Sequence, residues 1–239
     1  YDLLKVFYQL GAGVRQTMNF DDLKRLPILI PPLPEQRAIA TFLNRKTVKI
    51  DDLIAKKQQL LALLSEKRST LISQAVTKGL DSSVKLKTGN RWIDMYPHSW
   101  KGLPLKRWVS TKITDGPHET PEFLLDGVPF VSAEAVYNDR INLDSKRGYI
   151  SRQEHQRFCK KLLPRRDDIF MVKSGATTGK LAIVDIDDEF SVWSPMTLIR
   201  VDGKKLIPSY LFYALHSDYI QHQVRQLWTQ GTQPNISMS

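Results

Sequence analysis

Hydrophobic and polar positions follow two different periods along this chain, and the change of period divides it. From Glu35 to Lys78 no proline or glycine interrupts the sequence, and apolar residues recur with a helical period. Leu43, Ile50, Leu64 and Leu71 fall at sevens, with Lys57 in the remaining slot. Leu53, Leu60 and Leu61 fill intermediate positions, and Ile39, Phe42, Ile54, Ile72 and Ala75 widen the stripe. Pro31, Pro32 and Pro34 stand before this stretch and Gly79 just after it, the punctuation favoured at helix starts and ends. The pattern predicts one helix of roughly 65 Å at about 1.5 Å per residue, far longer than an ordinary globular helix of about 8–20 residues. A heptad stripe of this kind wants a second helix against it, and Lys57 in the seam weakens that core and sets register. The expected pairing residues are Leu43, Ile50, Leu53, Lys57, Leu60, Leu64 and Leu71. A long amphipathic helix lying on its own domain would show the same stripe.

Beyond the helix the pattern shortens. Residues 81–102 form a polar connector with Gly, Pro and Ser and the aromatic residues Trp92, Tyr96 and Trp100, so a domain boundary is expected there. From Leu103 onward, short apolar runs alternate with breakers. Leu105–Val109, Val128–Val131, Asp168–Val172, Lys180–Val184 and Thr197–Val201 read as strands. Asp115-Gly116-Pro117, Asp126-Gly127, Lys173-Ser174-Gly175 and Asp202-Gly203 read as turns. Ser151–Phe158 carries a capping-box signature, with Ser151 followed three residues later by Glu154. Pro208–Leu227 reads as a helix opened by its proline. The expected fold class is α+β: a mostly-β globular domain with short helices, joined to one long coiled-coil-type helix.

Charge adds a partner class. The net charge is +10 and the pI about 9.6, which favours an anionic partner, nucleic acid first. The surplus is uneven: residues 35–80 hold nine Lys/Arg against four Asp/Glu, whereas residues 81–239 hold 22 against 18. The second region is therefore only mildly basic. A single cysteine, Cys159, excludes an intrachain disulfide and a cysteine-based zinc site, and a reducing cytoplasm fits. No apolar run is long enough to span a membrane.

KSGATTGK (Lys173–Lys180) departs from a phosphate loop, because three residues rather than four separate Gly175 from Gly179 and Leu181 replaces the hydroxyl residue. It reads as a tight hairpin. It also reads as a DNA-facing loop, in which Thr177 and Thr178 donate to phosphates or base edges and Lys173 and Lys180 supply charge. TDGPHETP (Thr114–Pro121) turns at Asp115-Gly116 and projects His118 and Glu119. His118 has no partner spacing for a metal, no G-x-S-x-G is present, and Asp185–Glu189 reads as a solvated turn. No cofactor, metal or catalytic residue is expected. Lys112, Thr114, His118, Lys173, Thr177, Thr178 and Lys180 are the candidate DNA contacts.

The apolar run and corner LPILIPPLPEQ, the helix after it and its exit QAVTKGLD closely resemble the central region of the specificity subunit of type I restriction-modification enzymes. TDGPHETP, KSGATTGK and QGTQPNIS (Gln230–Ser237) are similar to recurrent stretches of that family, and Gly13–Asn19 (GVRQTMN) reads as a diverged copy of the last. Tyr1–Asp21 also lies on Tyr219–Ser239 at a constant offset of 218 residues. The resemblance implies about one repeat of a two-repeat protein. Residues 1–34 would be the tail of one target-recognition domain, 35–80 the conserved spacer helix, 81–102 a connector and 103–239 the next target-recognition domain. It implies a non-catalytic, cytoplasmic, bacterial or archaeal subunit. Such a subunit reads half of a split target in double-stranded DNA, scaffolds modification (methyltransferase) subunits and joins restriction subunits in the full complex. A homodimer through the long helix is a further expectation. The alternative from another class is a coiled-coil interaction module without DNA specificity.

Overall fold

The computed structural model describes residues 20–25, 27–89, 93–227 and 235–236. The motif at Gly13–Asn19, Trp92 and all of QGTQPNIS except Asn235 and Ile236 lie outside them. Contacts divide the chain into two units, Tyr1–Ala62 and Leu63–Ser239.

The first unit holds a short helix, α1 (Phe20–Lys24), and most of α2 (Leu33–Lys78), a single uninterrupted helix of 46 residues. Its start is built from the proline corner. Pro31 and Pro32 cannot donate, and their carbonyls instead accept from the Gln36 side chain (2.7 Å) and the Gln36 backbone N–H (3.0 Å). Its end is Gly79, whose N–H donates to Ala75 O at 3.2 Å and whose φ of +83° is the left-handed geometry of a helix exit. Every apolar residue named for the seam is exposed: Leu43, Ile50, Leu53, Leu60, Leu64 and Leu71 are 48–57% accessible. Lys57 is exposed among them. An apolar stripe of this length left in water is unusual for a folded monomer.

The second unit begins inside α2. After it, β1 (Leu86–Thr88) and β2 (Met95–Pro97) form a small antiparallel ribbon. The remaining strands make two sheets. Strands β3 (Thr114–Asp115), β5 (Val136–Tyr137), β6 (Arg140–Ile141), β8 (Ile169–Val172), β9 (Leu181–Ile183) and β11 (Met196–Ile199) assemble in the order β3-β11-β8-β9-β6-β5. Strands β4 (Val128–Val131), β7 (Gly148–Ile150) and β10 (Ser191–Val192) assemble in the order β10-β4-β7. Three helices complete the unit: α3 (Arg152–Cys159), α4 (Pro208–His216) and α5 (Asp218–Gln226). The expected α+β class is what the structure shows.

The six-stranded sheet is covered on both faces, which is why its central strands are unbroken apolar runs rather than alternating ones. Side chains still alternate by two. Ile169, Met171, Leu181 and Ile183 face a core with Leu211, Phe212, Leu215 and Val224 of α4 and α5. Phe170, Val172, Ala182, Met196 and Leu198 face a second core with Val131, Leu162, Phe190 and Val192. Ser151 caps α3 as its pattern required, accepting from Glu154 N–H at 3.1 Å.

Two elements differ from expectation. Leu105–Val109 is not a strand: Leu105–Arg107 forms one 3₁₀ turn after Pro104, and only Val109 bridges, to Val201. Its centre, Lys106-Arg107-Trp108, lacks the β-branched pattern that favours a strand. The helix expected over Pro208–Leu227 breaks at Ser217, where the backbone is extended (φ −63°, ψ 147°). A tertiary contact overrides the local pattern there. The Asp218 N–H donates to Ser73 Oγ at 3.0 Å, while its carboxylate accepts from Ser69 Oγ (2.7 Å) and Ser73 Oγ (3.1 Å). Arg68 pairs with Asp139 at 2.5 Å, and Val76 is buried. The final turns of α2 are thus stitched into the second unit by Ser69 and Ser73, one helical turn apart, and by Arg68 beside Ser69.

Candidate nucleic-acid interface

The two loop motifs meet at one end of the six-stranded sheet. β3 is very short because the chain turns at Gly116, directly after Asp115. Gly116 packs so closely that a β-carbon would lie 2.1 Å from Val192 O, so only glycine fits. The turn buries the Asp115 carboxylate at 9% exposure. A buried carboxylate needs partners, and three reach it: Lys161 Nζ at 2.7 Å, Lys173 Nζ at 2.6 Å and His118 Nε2 at 2.9 Å. Lys161 also donates to Gly116 O at 3.1 Å. Burial alone would raise the carboxyl's pKa, but the hydrogen bonds and charges of Lys161 and Lys173 outweigh it and hold the group at about 2.

Around this centre the backbone closes three further connections. Lys173 N–H donates to Pro195 O at 2.7 Å and Ser194 N–H to Pro117 O at 3.0 Å. Ser174 forms an isolated bridge with Asn235, and Ile236 N–H donates to Lys173 O at 2.8 Å. Segments of TDGPHETP, KSGATTGK and QGTQPNIS, some 60 residues apart in each step, therefore share one edge. The loop between β8 and β9 is a tight one, as its glycines suggested. Thr178 Oγ1 donates to Gly175 O at 2.7 Å, and Gly179 N–H to Val172 O at 2.8 Å. Gly179 sits at φ +91°.

The candidate contact residues fall into four groups. His118 and Lys180 are exposed at this end, and Thr177 and Thr178 are half-buried on the same loop. Thr114 is half-buried in β3, its carbonyl accepting from Thr197 Oγ1 at 3.1 Å. Lys173 is corrected: expected as a phosphate-binding charge, it is buried, and its ammonium is held by Asp115. Desolvation explains this, since a buried ammonium is retained only when paired. Lys112 is exposed but lies toward the other end of β11, close to Arg200. Sequence reasoning missed Asp115 and Lys161 as organisers. The available signal was an Asp-Gly turn whose aspartate is followed three residues later by histidine.

Catalytic chemistry finds no foothold in the one Cys–His contact. Cys159 Sγ lies 3.5 Å from His155 Nε2, and His155 Nδ1 is 2.9 Å from Ser191 Oγ. Burial pushes the thiol up and the imidazole down, so both stay neutral and no thiolate–imidazolium pair forms. Among the described residues no group of three or more His, Cys, Asp and Glu could hold a metal ion, and no helix is long and apolar enough to cross a membrane.

Residues 2–63 match the family model described as the type I restriction modification DNA specificity domain. The chain is 24% identical over 232 residues to the type I restriction enzyme MjaVIII specificity subunit of Methanocaldococcus jannaschii, covering 95% of this chain and 52% of the relative. It is 25% identical over 199 residues to the EcoBI specificity subunit of Escherichia coli, covering 80% and 41%. Among solved structures, the HsdS subunit from Thermoanaerobacter tengcongensis is 15% identical with a TM-score of 0.39, over 98% of this chain and 55% of that one. A chain from a structure of type I restriction-modification complex assembly is 18% identical with a TM-score of 0.44, over 87% and 46%. The resemblance carried by PPLPEQ and QAVTKGLD is to the same kind of subunit that the matching family model and the curated relatives name. The chain is similar to specificity subunits of type I restriction enzymes and spans about half the length of the curated relatives it matches.

Asp115 makes this edge dependent on acid. Its depressed pKa means that its contribution is fully present above the ordinary carboxylate value near 3.8 and is lost as pH falls through about 2. Replacing it in Asp115→Asn leaves the buried Lys173 ammonium without a counter-charge, at an expected cost of about 3 kcal/mol at pH 7. Urea unfolding of both proteins should show this gap at pH 7 and a progressive narrowing between pH 4 and pH 2.

Proposed function

We propose that this chain is a DNA-recognition module that reads one half of a bipartite double-stranded target. The reading loops are those at the Asp115 end of the six-stranded sheet, with His118, Thr177, Thr178 and Lys180 as the groups offered to bases and phosphates and Thr114 supporting them. The observation that carries this is the convergence of three motif segments on one edge, tied by Asp115–Lys173 and by Ser174 with Asn235. Side chains on loops supported by a rigid sheet are suited to base readout, while exposed lysines attach to phosphates. The names of the relatives, specificity subunits of type I restriction enzymes, support the same reading. In it, residues 35–80 are the spacer, residues 81–102 the connector and residues 103–239 the reader. Modification subunits dock around the spacer and carry the chemistry, with restriction subunits joining the full assembly.

The second reading, an interaction module that pairs through α2 without DNA specificity, is favoured by one observation, the exposed seam from Leu43 to Leu71. The two separate in a salt titration with duplex DNA. Affinity should fall steeply with salt, and Lys180→Ala should lower the slope of log K against log salt by about one. Salt-independent or absent binding would leave the interaction module standing.

The seam also predicts a second helix from another copy. Sedimentation of the chain at micromolar concentration should show a dimer. Replacing Leu43 and Ile50 with Gln should return it to monomer without loss of helix content by circular dichroism. A wild-type monomer that remains helical would remove the homodimer from the account.

A further inference from the structure

Positive charge on the second unit is not concentrated where the loop motifs lie. At the Asp115 end, Lys161 and Lys173 are held by that carboxylate, and Arg157 faces Glu119 at 2.8 Å. Elsewhere arginines are matched in the same way: Arg140 to Asp185, Arg147 to Glu134, Arg152 to Glu189 and Arg166 to Asp187. The far end of the sheet is different.

Register brings that far end together. Ile199 pairs with Ile169 at the close of β11 and the opening of β8. Beyond β11, Val201 bridges Val109, and Ser110 N–H donates to Arg200 O at 2.9 Å. Outside that bridge both segments turn, Leu105–Arg107 as a 3₁₀ turn and Asp202–Lys205 as a tight turn, so Lys106, Arg107, Lys204 and Lys205 all lie within four residues of the bridged pair, while Lys112 leads back into β3. Arg165 joins from the β8 side. Its N–H donates to Asp168 Oδ2 at 2.7 Å, and the same carboxylate holds Arg200 through two bonds of 2.6 Å. Lys106, Arg107, Lys112, Arg165, Lys204 and Lys205 are all exposed, and none is in an ion pair among the described residues. Asp202 accepts from Lys204 N–H at 3.0 Å within its own turn. With Asp167 and, in the turn after β9, Asp188, it opposes the six cations, which remain in excess at this end.

We infer that this end of the sheet is a binding surface for the phosphate backbone of duplex DNA, separate from the reading loops and indifferent to sequence. The inference rests on the DNA-recognition reading and extends it. Unpaired, exposed cations at one sheet end are what counterion release requires, and phosphate contacts fix register while loops supply choice. Along β11, Thr197, opposite Asp115, and Arg200 are three residues apart. At about 3.3 Å per residue that is ~10 Å, close to three base-pair steps, so one duplex lying along the strand reaches both ends.

The test uses the whole chain, a set of duplexes of differing sequence, and binding constants across a salt series. In the variant Lys106→Gln/Arg107→Gln/Lys204→Gln/Lys205→Gln, the slope of log K against log salt should fall by about two to four units. Affinity should drop alike for all duplexes, with their ranking kept and the thermal melt unchanged. The two half-variants, Lys106→Gln/Arg107→Gln and Lys204→Gln/Lys205→Gln, should each give about half that loss and serve if the fourfold variant misfolds. A wild-type slope in all variants overturns the surface while leaving the recognition reading intact. A changed ranking of duplexes overturns its sequence indifference. A wild-type chain without salt-dependent duplex binding overturns the recognition reading itself, and the surface with it.

Discussion

One buried carboxylate organises the loop edge of the second unit. Asp115 is taken out of water by a turn that only glycine at position 116 permits, and it is stable there because Lys161 and Lys173 neutralise it. Each partner comes from a different part of the chain: Lys161 from just past α3, Lys173 from the end of β8. Their convergence on one anion fixes the spacing of the two loops more tightly than loop backbone could. The short ladder from Ser174 and Lys173 to Asn235 and Ile236 adds a third segment to the same edge. A reading surface assembled from separate loops requires such a shared centre, because recognition side chains must be held close to productive geometry by groups that are themselves locked.

What the sequence made legible followed physical strength of signal. The rod was legible because its signal is long and punctuated: a stretch without Pro or Gly, a proline corner and a glycine exit, all three present in α2. The central strands were legible as apolar runs, and coverage of the sheet on both faces explains why they did not alternate. The capping box of α3 was legible because it is local. The misses are non-local. Ser217 breaks the helix expected over Pro208–Leu227 because Asp218 is taken by Ser69 and Ser73, about 145 residues earlier. Lys173 lay in a loop that looked like a cationic finger, yet its charge is claimed by an aspartate that no spacing rule connects to it. Charge pairing of this kind depends on tertiary approach, and a one-dimensional pattern carries little trace of it.

The same distinction separates roles on the proposed DNA surface. Matched charges, such as Asp115 with Lys173 or Asp168 with Arg200, hold the scaffold and are largely shielded from solvent. Unmatched ones, Lys180 at the loop end and the group from Lys106 to Lys205 at the other, are the charges free to meet an anion. Buried pairs contribute rigidity rather than affinity, and exposed cations contribute affinity rather than shape. The exposed leucines of α2 follow a parallel logic: an apolar seam in water is a requirement for a partner, whereas Ser69, Ser73 and Arg68 show a helix end whose partner is already present.

Coupling of the loops into one edge by Asp115 is read out by amide hydrogen exchange on Asp115→Asn. Exchange should be faster not only at residues 114–118 but also at residues 173–180 and at Ile236, whose N–H is held by Lys173 O. Protection in β9 and α4 should be retained. Faster exchange confined to residues 114–118, with the 173–180 loop and Ile236 protected as in the wild type, would contradict it.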